Sequence, residues 1–457
     1  TLSLFDAPRY TGISDMPTGL LQPAPLSGFP ARYPDAFAIT NTVDESIVPP
    51  YSMTMNFNIG REFNNNLFVQ AGYVGRLGRR LLVQSDLAMP TNLRDPQSGM
   101  TYFEAAAQLA ELSFQGVPIS QVQPIPYWEN LWSGFTAGGR TPTQNVYARY
   151  NVNNPDFTSA LVNIDLPGCV SRGRCSNLGP LALFNSQYSA LAAWRNQGYS
   201  DYHGLQLNVR KTWNNGDLVD FNYTFSKSTD LSSSAERTTD FNGVIINSWF
   251  PNLMKGVSDF DTTHQFTANA VYNIPVGRGK RYMTGAGGLM EALFGGWLLS
   301  TVFRATSGFP TDVLGTLWPT NWNVRSLARI TGEMPASGAF RDAPAINPES
   351  AGPNIFSDPA AAYAAFQDEV PGGVGNRNIV RGDGVFQFDT NLAKRFRMPW
   401  SENHSLQFRW EAFNIFNTTR FDTFDVDLWK ARDGSFGRYQ SSLSLPRVMQ
   451  FGLRYDF

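Results

Sequence analysis

Histidines and clustered carboxylates are the residues of this chain best suited to catalysis or metal binding. The three histidines, His203, His264 and His404, lie in separate segments. We expect the first two near one rim of the fold and His404 near the other, so they cannot share a site. The sequence has no nucleophile elbow, zinc-binding helix motif or glycine-rich phosphate loop. It predicts no cofactor and no enzymatic activity, with an embedded lipase-type enzyme as the alternative.

The carboxylates form two groups. Asp259 and Asp261 precede a predicted strand, and Asp422, Asp425 and Asp427 share one loop. Carboxylates at such spacing can bind calcium. More often they are solvated or form salt bridges, and we predict no metal site.

Cys169 and Cys175 are the only cysteines, and they lie close together. A disulfide between them fits an oxidising exterior and would stabilise a loop by roughly 2 kcal/mol. A metal site is a poor alternative because no histidine or second cysteine pair lies nearby. We predict the disulfide in an extracellular loop, with free thiols as the alternative.

The elements that position these residues are indicated by period-two alternation, clearest in residues 404–411. Leu406, Phe408 and Trp410 alternate there with polar residues. In a soluble sandwich the apolar side faces a core, whereas in a membrane barrel it faces lipid and the polar side faces a wet lumen. The pattern recurs in nine strands of about ten residues, the length that crosses a bilayer at a tilt. They are 52–61, 67–77, 203–212, 218–228, 262–274, 296–307, 385–396, 404–416 and 447–457.

The connections between these strands alternate in length. Short or medium turns alternate with very long segments at 78–202, 229–261, 308–384 and 417–446. Short turns on one side and long loops on the other are typical of bacterial outer-membrane proteins. We therefore predict an all-β fold, an antiparallel transmembrane β-barrel portion at 52–457 with long extracellular loops, preceded by an extracellular loop segment at 1–51.

Two helices are predicted within the long loop 78–202. Thr101 and Glu104 fit a capping box before Ala105–Leu112, and Tyr188–Trp194 is a second helical candidate.

The composition agrees with a barrel in the bacterial outer membrane. Charged residues are 16% and aromatic residues 14% of the chain, against about 25% charged in a soluble domain. With a net charge of -2, nothing in the composition indicates a nucleic-acid footprint. Outer-membrane lipid is therefore the expected partner.

Strict alternation also predicts which way each side chain faces. The residues expected to face lipid are Phe221, Tyr223, Leu406, Phe408, Trp410, Leu453 and Tyr455. Those expected to face the lumen are Arg210, Asn222, Gln407, Arg409, Glu411 and Arg454. The lumen-facing residues would contact a plug domain or simply solvate the lumen.

The last strand carries a second pattern. Phe451, Leu453, Tyr455 and Phe457 alternate with other residues up to a terminal phenylalanine. This resembles the signal that the bacterial barrel-assembly machinery recognises during biogenesis.

Several blocks resemble the Oar-like (carboxypeptidase-regulatory-like) branch of TonB-dependent receptors, in its C-terminal barrel portion. They are 68–75, 77–80, 202–207, 221–227, 258–261 with His264, 307–310 and 411–417. The resemblance implies a barrel of about 22 strands, a plug domain and energy from the TonB complex. We recognise no plug, TonB box or N-terminal regulatory-like domain in the sequence.

Strand parity predicts that this chain is not a complete barrel. If the last strand ends at the periplasm, 52–61 runs inward from a surface loop, whereas single-chain bacterial barrels have even strand numbers. We expect 52–61 to pair with an upstream half of the same barrel. The alternative is an unrecognised strand in 1–51 or in a long loop.

The functional hypothesis is a TonB-dependent receptor or transporter barrel that imports or exports an unidentified substrate. The alternative is a non-transporting outer-membrane barrel that acts as a structural or adhesive scaffold through its long surface loops.

Overall fold

The computed structural model describes residues 39–152, 157–185, 188, 190–233, 244–321, 324–346, 351–398, 400–424, 426–428 and 434–457. Its main feature is an antiparallel sheet of nine long strands, which we call the wall. Each strand pairs with the next along the chain, and each matches one of the nine predicted strands. They are β1 (Tyr51–Phe63), β2 (Leu67–Asp86), β3 (Ala190–Thr212), β4 (Leu218–Asp230), β5 (His264–Asn273), β6 (Trp297–Thr306), β7 (Val385–Met398), β8 (Ser401–Phe413) and β9 (Val448–Asp456).

The register gives the wall two chemically distinct faces. Apolar residues pair with apolar residues, as in Tyr223 opposite Phe266 and Phe408 opposite Leu453. Their neighbours pair on the other side, as in Asn208 opposite Asn222. We call these sides the apolar face and the polar face. Because side chains alternate along a strand, a shift of one residue would mix the two faces.

All the long connections lie at one end of the wall, the loop end, and the short ones at the other, the turn end. The β1–β2 turn shows why a short turn forms: Asn65 and Asn66 have positive φ of 72° and 56°, a conformation that asparagine tolerates better than most residues. The long connections span 87–189, 231–263, 307–384 and 414–447.

The predicted loop 78–202 was too long at both ends. Strands β2 and β3 continue to Asp86 and from Ala190, and residues 79–86 pair with 192–199. The second predicted helix, Tyr188–Trp194, was wrong because residues 190–194 belong to β3. There they also pair in parallel with the strand Ile39–Val43, so backbone pairing on both sides overrides the helical preference of alanine.

The connection 87–189 is mainly helical. It contains α1 (Tyr102–Phe114), α2 (Pro126–Leu131), α3 (Pro142–Val152), α4 (Phe157–Ile164), α5 (Gly168–Ser171) and the 3₁₀ turns Ile119–Gln121 and Ala137–Gly139. The predicted capping box is confirmed: the Thr101 hydroxyl accepts from the N–H of Glu104, and the Glu104 carboxylate accepts from the N–H of Thr101.

The other connections carry short elements. The helical ones are Pro251–Met254 (3₁₀), α6 (Gly288–Phe294) at the turn end, and α7 (Pro359–Ala365). The strands are Val244–Ile245, Gly256–Val257, Pro310–Thr311, Arg329–Ile330, Ser337–Phe340, Asn354–Phe356, Phe366–Gln367, Val380–Arg381, Phe421–Phe424 and Tyr439–Ser442. No helix in the described part of the chain is both long and apolar enough to span a membrane.

The densest packing lies in the connections at the loop end, which we call the loop layer. Trp128, Trp132 and Tyr150 are fully buried in a core built by α1–α4. A second core joins the connections 307–384 and 414–447. A third core packs Val83 of β2 against residues of the connections 231–263 and 307–384. These segments therefore form folded structure above the wall.

Candidate functional site: the polar face and the loop layer

Glu411 organises the polar face across β7, β8 and β9. Its carboxylate accepts from Asn391 Nδ2 at 2.9 Å, pairs with Arg409 at 2.5 Å and accepts from Gln450. Gln407 lies opposite Arg454 in the same register. Four of the six residues assigned to the lumen thus share one polar surface.

The other two are Arg210, which lies on the polar face of β3 opposite Asp220, and Asn222, which lies on the polar face of β4 opposite Asn208. Asn208 Nδ2 donates to Asn222 Oδ1 at 2.7 Å, and Asn222 Nδ2 donates to Asp220 at 2.6 Å. The polar face of the wall therefore presents amide groups and charges of both signs. That this face lines a lumen stays a prediction.

Aromatic rings make a nearly continuous surface on the apolar face. Ring centroids lie 4.5 Å apart for Phe221 and Phe266, and 5.2 Å apart for Phe266 and Phe303. The contact continues to Phe386 at 5.3 Å. Leu453, at the edge, is 69% exposed. Such an exposed apolar surface requires an apolar environment or partner.

Each of the three histidines hydrogen-bonds a different tyrosine on the adjoining strand. His203 Nδ1 lies 2.7 Å from the Tyr73 hydroxyl, and His264 Nδ1 lies 2.8 Å from that of Tyr223. His404 pairs with Tyr455 at 2.6 Å. These are diagonal cross-strand pairs, and none of them combines two histidines.

One buried ion pair ties the loop layer to the wall, and further ion pairs join the connections to each other. Arg377 is 5% exposed and pairs with Asp230 at 2.6 Å and Asp259 at 3.1 Å. Arg381 pairs with Asp261 at 2.5 Å. The salt-bridge interpretation of these two aspartates is therefore confirmed. In the second carboxylate group, Asp427 pairs with Arg325 at 2.8 Å, and Asp425 lies outside the described residues.

Asp312 is a titratable group inside this ionic network. Burial raises the pKa of its carboxyl from an ordinary 3.8 to about 6, although the Asn378 N–H and Arg377 oppose the shift. The Asn378 N–H donates to Asp312 Oδ1 at 2.5 Å. The charge state of this carboxyl therefore changes in a mildly acidic range.

A cavity of about 750 Å³ lies where the polar face meets the loop layer. Three cationic side chains line it, Arg304 from β6 and Arg341 and Arg420 from two connections. A carboxyl, Asp383, lines it as well, and the apolar part of the lining includes Val385, Phe413, Phe421 and Leu445. Guanidinium groups bind carboxylates and phosphates through paired hydrogen bonds, so the cavity suits a partly apolar solute that carries an anionic group.

A family model described as "Outer membrane beta barrel domain" matches residues 6–450. The chain belongs to this family. It is therefore a protein of the bacterial outer membrane, and its nine-stranded wall belongs to an outer-membrane β-barrel domain. No curated protein sequence matches the chain.

Solved transporter structures show a distant likeness to this barrel protein. The outer membrane transporter YddB from Escherichia coli has 10% identity and a TM-score of 0.35 over 91% of this chain and 34% of its own. FpvA from P. aeruginosa, bound to pyoverdine and iron, has 11% identity and a TM-score of 0.33 over 93% and 29%. The copper transporter OprC has 10% identity and a TM-score of 0.31 over 93% and 36%. The chain thus spans about a third of their length.

The barrel protein contains the predicted disulfide between Cys169 and Cys175. It closes the segment that begins with α5, in the loop layer. Its extracellular location stays a prediction.

The residues of the proposed assembly signal lie along β9 and its end. Phe451, Leu453, Tyr455 and Phe457 are all exposed. Recognition of this strand by the assembly machinery stays a prediction.

The arginine-lined cavity was missed from the sequence. Arg304, Arg341 and Arg420 come from three separate segments, and no local spacing connects them. The only sequence feature that could have indicated Arg304 is its position on the polar side of β6, opposite Gln387.

Proposed function

We propose that this barrel protein transports a solute across the outer membrane and is not an enzyme. In this account the polar face lines the route and the loop layer forms the outer vestibule. The observation that carries the proposal is the arginine-lined cavity, because it lies where the polar face meets the loop layer. The sequence resemblance adds a plug domain and TonB-dependent energy supply to the proposal.

The lining of the cavity favours one class of substrate. Three guanidinium groups surround the space together with phenylalanine rings, while the wall below presents amides such as Asn208, Asn222 and Gln407. A peptide with a free carboxylate satisfies all of these groups, because it combines an anionic end, apolar side chains and a polar backbone. Asp383 also lines the cavity, so one carboxyl faces three guanidinium groups and the lining still favours an anionic end over an uncharged glycan.

The test is uptake by cells that express the full-length protein, compared with isogenic cells that lack it. The probes are a rhodamine-labelled pentapeptide with a free carboxylate and the same peptide as its carboxamide. We expect protein-dependent accumulation of the acid form, loss of uptake on adding a protonophore, and weaker uptake by Arg304→Gln and Arg420→Gln. Equal accumulation of both probes in both cell types would contradict transport. It would leave the scaffold function as the better explanation.

We also propose that the wall is completed by strands other than these nine. Within the described residues β1 and β9 are the two edges of the sheet and are not paired with each other. Unpaired backbone groups in lipid cost several kcal/mol each. The test is a cysteine pair, Phe57→Cys with Leu453→Cys, which we expect to form no disulfide within one chain. Efficient crosslinking within the chain would show that β1 and β9 meet.

A further inference from the structure

The connection 274–296 is the longest one at the turn end, and it is folded. The Arg278 N–H donates to the Glu291 carboxylate at 2.5 Å, and the Gly277 N–H donates to the Tyr282 carbonyl at 2.9 Å. Gly277 packs so closely on Glu291 that a Cβ there would lie 2.6 Å from the carboxylate. The segment therefore holds a defined shape around Glu291.

Helix α6 within this connection presents apolar side chains to the outside. Leu289 is 74% exposed and Leu293 is 54% exposed. Met290 and Phe294 are exposed as well. An exposed aliphatic and aromatic cluster on a short helix is typical of segments that lie in a membrane interface.

The end of α6 is attached to the apolar face of the wall. Lys394 lies on that face of β7, opposite Trp297. Its ammonium group donates to the Glu291 carbonyl at 2.9 Å and to the Gly295 carbonyl. Trp297 Nε1 donates to the Leu293 carbonyl at 2.9 Å. The apolar side chains of α6 therefore continue the apolar face at its turn end.

Basic side chains accompany this apolar cluster. Arg278, Lys280 and Arg281 are exposed in the first part of the connection. The carboxylate of Glu291, the acidic residue of the segment, accepts a hydrogen bond from the backbone N–H of Arg278. The surface consequently combines positive charge with exposed apolar groups, which matches a bilayer that contains anionic phospholipid headgroups.

We propose that residues 276–294 form an amphipathic anchor in the bilayer interface at the turn end. The side chains of Leu289, Met290, Leu293 and Phe294 enter the acyl region, and Lys280 and Arg281 contact anionic phosphate headgroups. The anchor does not depend on transport.

Insertion depth is tested with a fluorescent label on Leu289→Cys in the full-length protein, reconstituted in phosphatidylcholine vesicles. The matched control is Asn214→Cys, an exposed site in another connection at the turn end. The two cysteines of this chain are joined in a disulfide, and any cysteine elsewhere in the full-length protein is replaced by serine so that the label is specific. We expect brominated acyl chains to remove about half of the emission at position 289, with protection from aqueous iodide. Equal iodide quenching at the two sites, without bromine quenching at 289, overturns the anchor.

Headgroup recognition is tested with the same label in vesicles with and without about 30 mol% phosphatidylglycerol. We expect a larger blue shift at position 289 with the anionic lipid, and loss of that difference in Lys280→Gln/Arg281→Gln. The headgroup contact is overturned if the blue shift is the same with and without the anionic lipid, or if the difference remains in the double variant. Heat-modifiable migration on gels confirms that each variant is folded.

Discussion

At the scale of single residues, the ionic side chains of this protein have mainly structural roles in the loop layer. Asp259 and Asp261 could have been calcium ligands by their spacing, yet both pair with arginines of a distant connection. Those partners, Arg377 and Arg381, lie more than a hundred residues along the chain. Sequence spacing could therefore indicate the aspartates as salt-bridge candidates but could not supply their partners.

Asp312 gives the loop layer a pH dependence. Its pKa is about 6 when folded and 3.8 in its ordinary state, so the folded state binds more protons between these values. The contribution of Asp312 to stability must then fall as pH rises from about 4 to 6. Asp312→Asn should remove this contribution and stabilise the loop layer at pH 8 by about 1 to 2 kcal/mol, less than the full shift in pKa implies because Asp312 is half-buried.

The measurement is denaturant unfolding of the loop layer at several pH values, with protease susceptibility as the signal that reports unfolding. The stability of the wild-type protein relative to Asp312→Asn should fall across that pH range. Identical pH profiles for the two proteins would contradict this assignment.

Arg377 is the central cation of the buried network. Its replacement by alanine leaves Asp230 buried without its ion-pair partner, a change that costs about 3 to 5 kcal/mol in comparable cases. We expect Arg377→Ala to accelerate proteolysis of the loop layer while the wall remains heat-modifiable. Arg172→Ala, at an exposed position, is the matched control, and equal cleavage rates in the two variants would argue against the network.

At the scale of elements, the wall strands could be predicted because each alternates apolar and polar residues. The extensions of β2 and β3 could not, because beyond Leu82 strand β2 enters the loop layer and becomes buried on both sides. Residues 83–86 are all buried, so alternation no longer marks the strand. Within 87–189, the capping box indicated α1, but the helical core around Trp128 depends on contacts between helices.

The capping box of α1 provides an element-scale prediction. Thr101→Ala removes the hydroxyl that accepts from the Glu104 N–H, which should weaken α1 by about 1 kcal/mol. Hydrogen exchange in residues 102–114 should therefore quicken. Thr136→Ala is the control because this helix-capping threonine makes no side-chain cap bond. Unchanged exchange in Thr101→Ala would mean that tertiary packing alone fixes the helix.

At the scale of the whole molecule, two continuous faces explain why the protein belongs in a membrane. The apolar face presents exposed residues such as Phe451 and Leu453, and the polar face joins Glu411 to three neighbouring polar side chains. The family match places this wall in the outer membrane. The direction in which each face points is the central claim of this account.

That claim is tested most directly by spin-label scanning of residues 405–411 in outer-membrane vesicles. A label is placed at each position in turn, and collision rates are measured with oxygen, which concentrates in lipid, and with a water-soluble nickel complex. We predict opposite period-two oscillations, with oxygen maxima at 406, 408 and 410 and nickel maxima at 407, 409 and 411. The reverse phase, or nickel access at every position, would contradict a wall whose apolar face meets lipid and whose polar face lines a wet lumen.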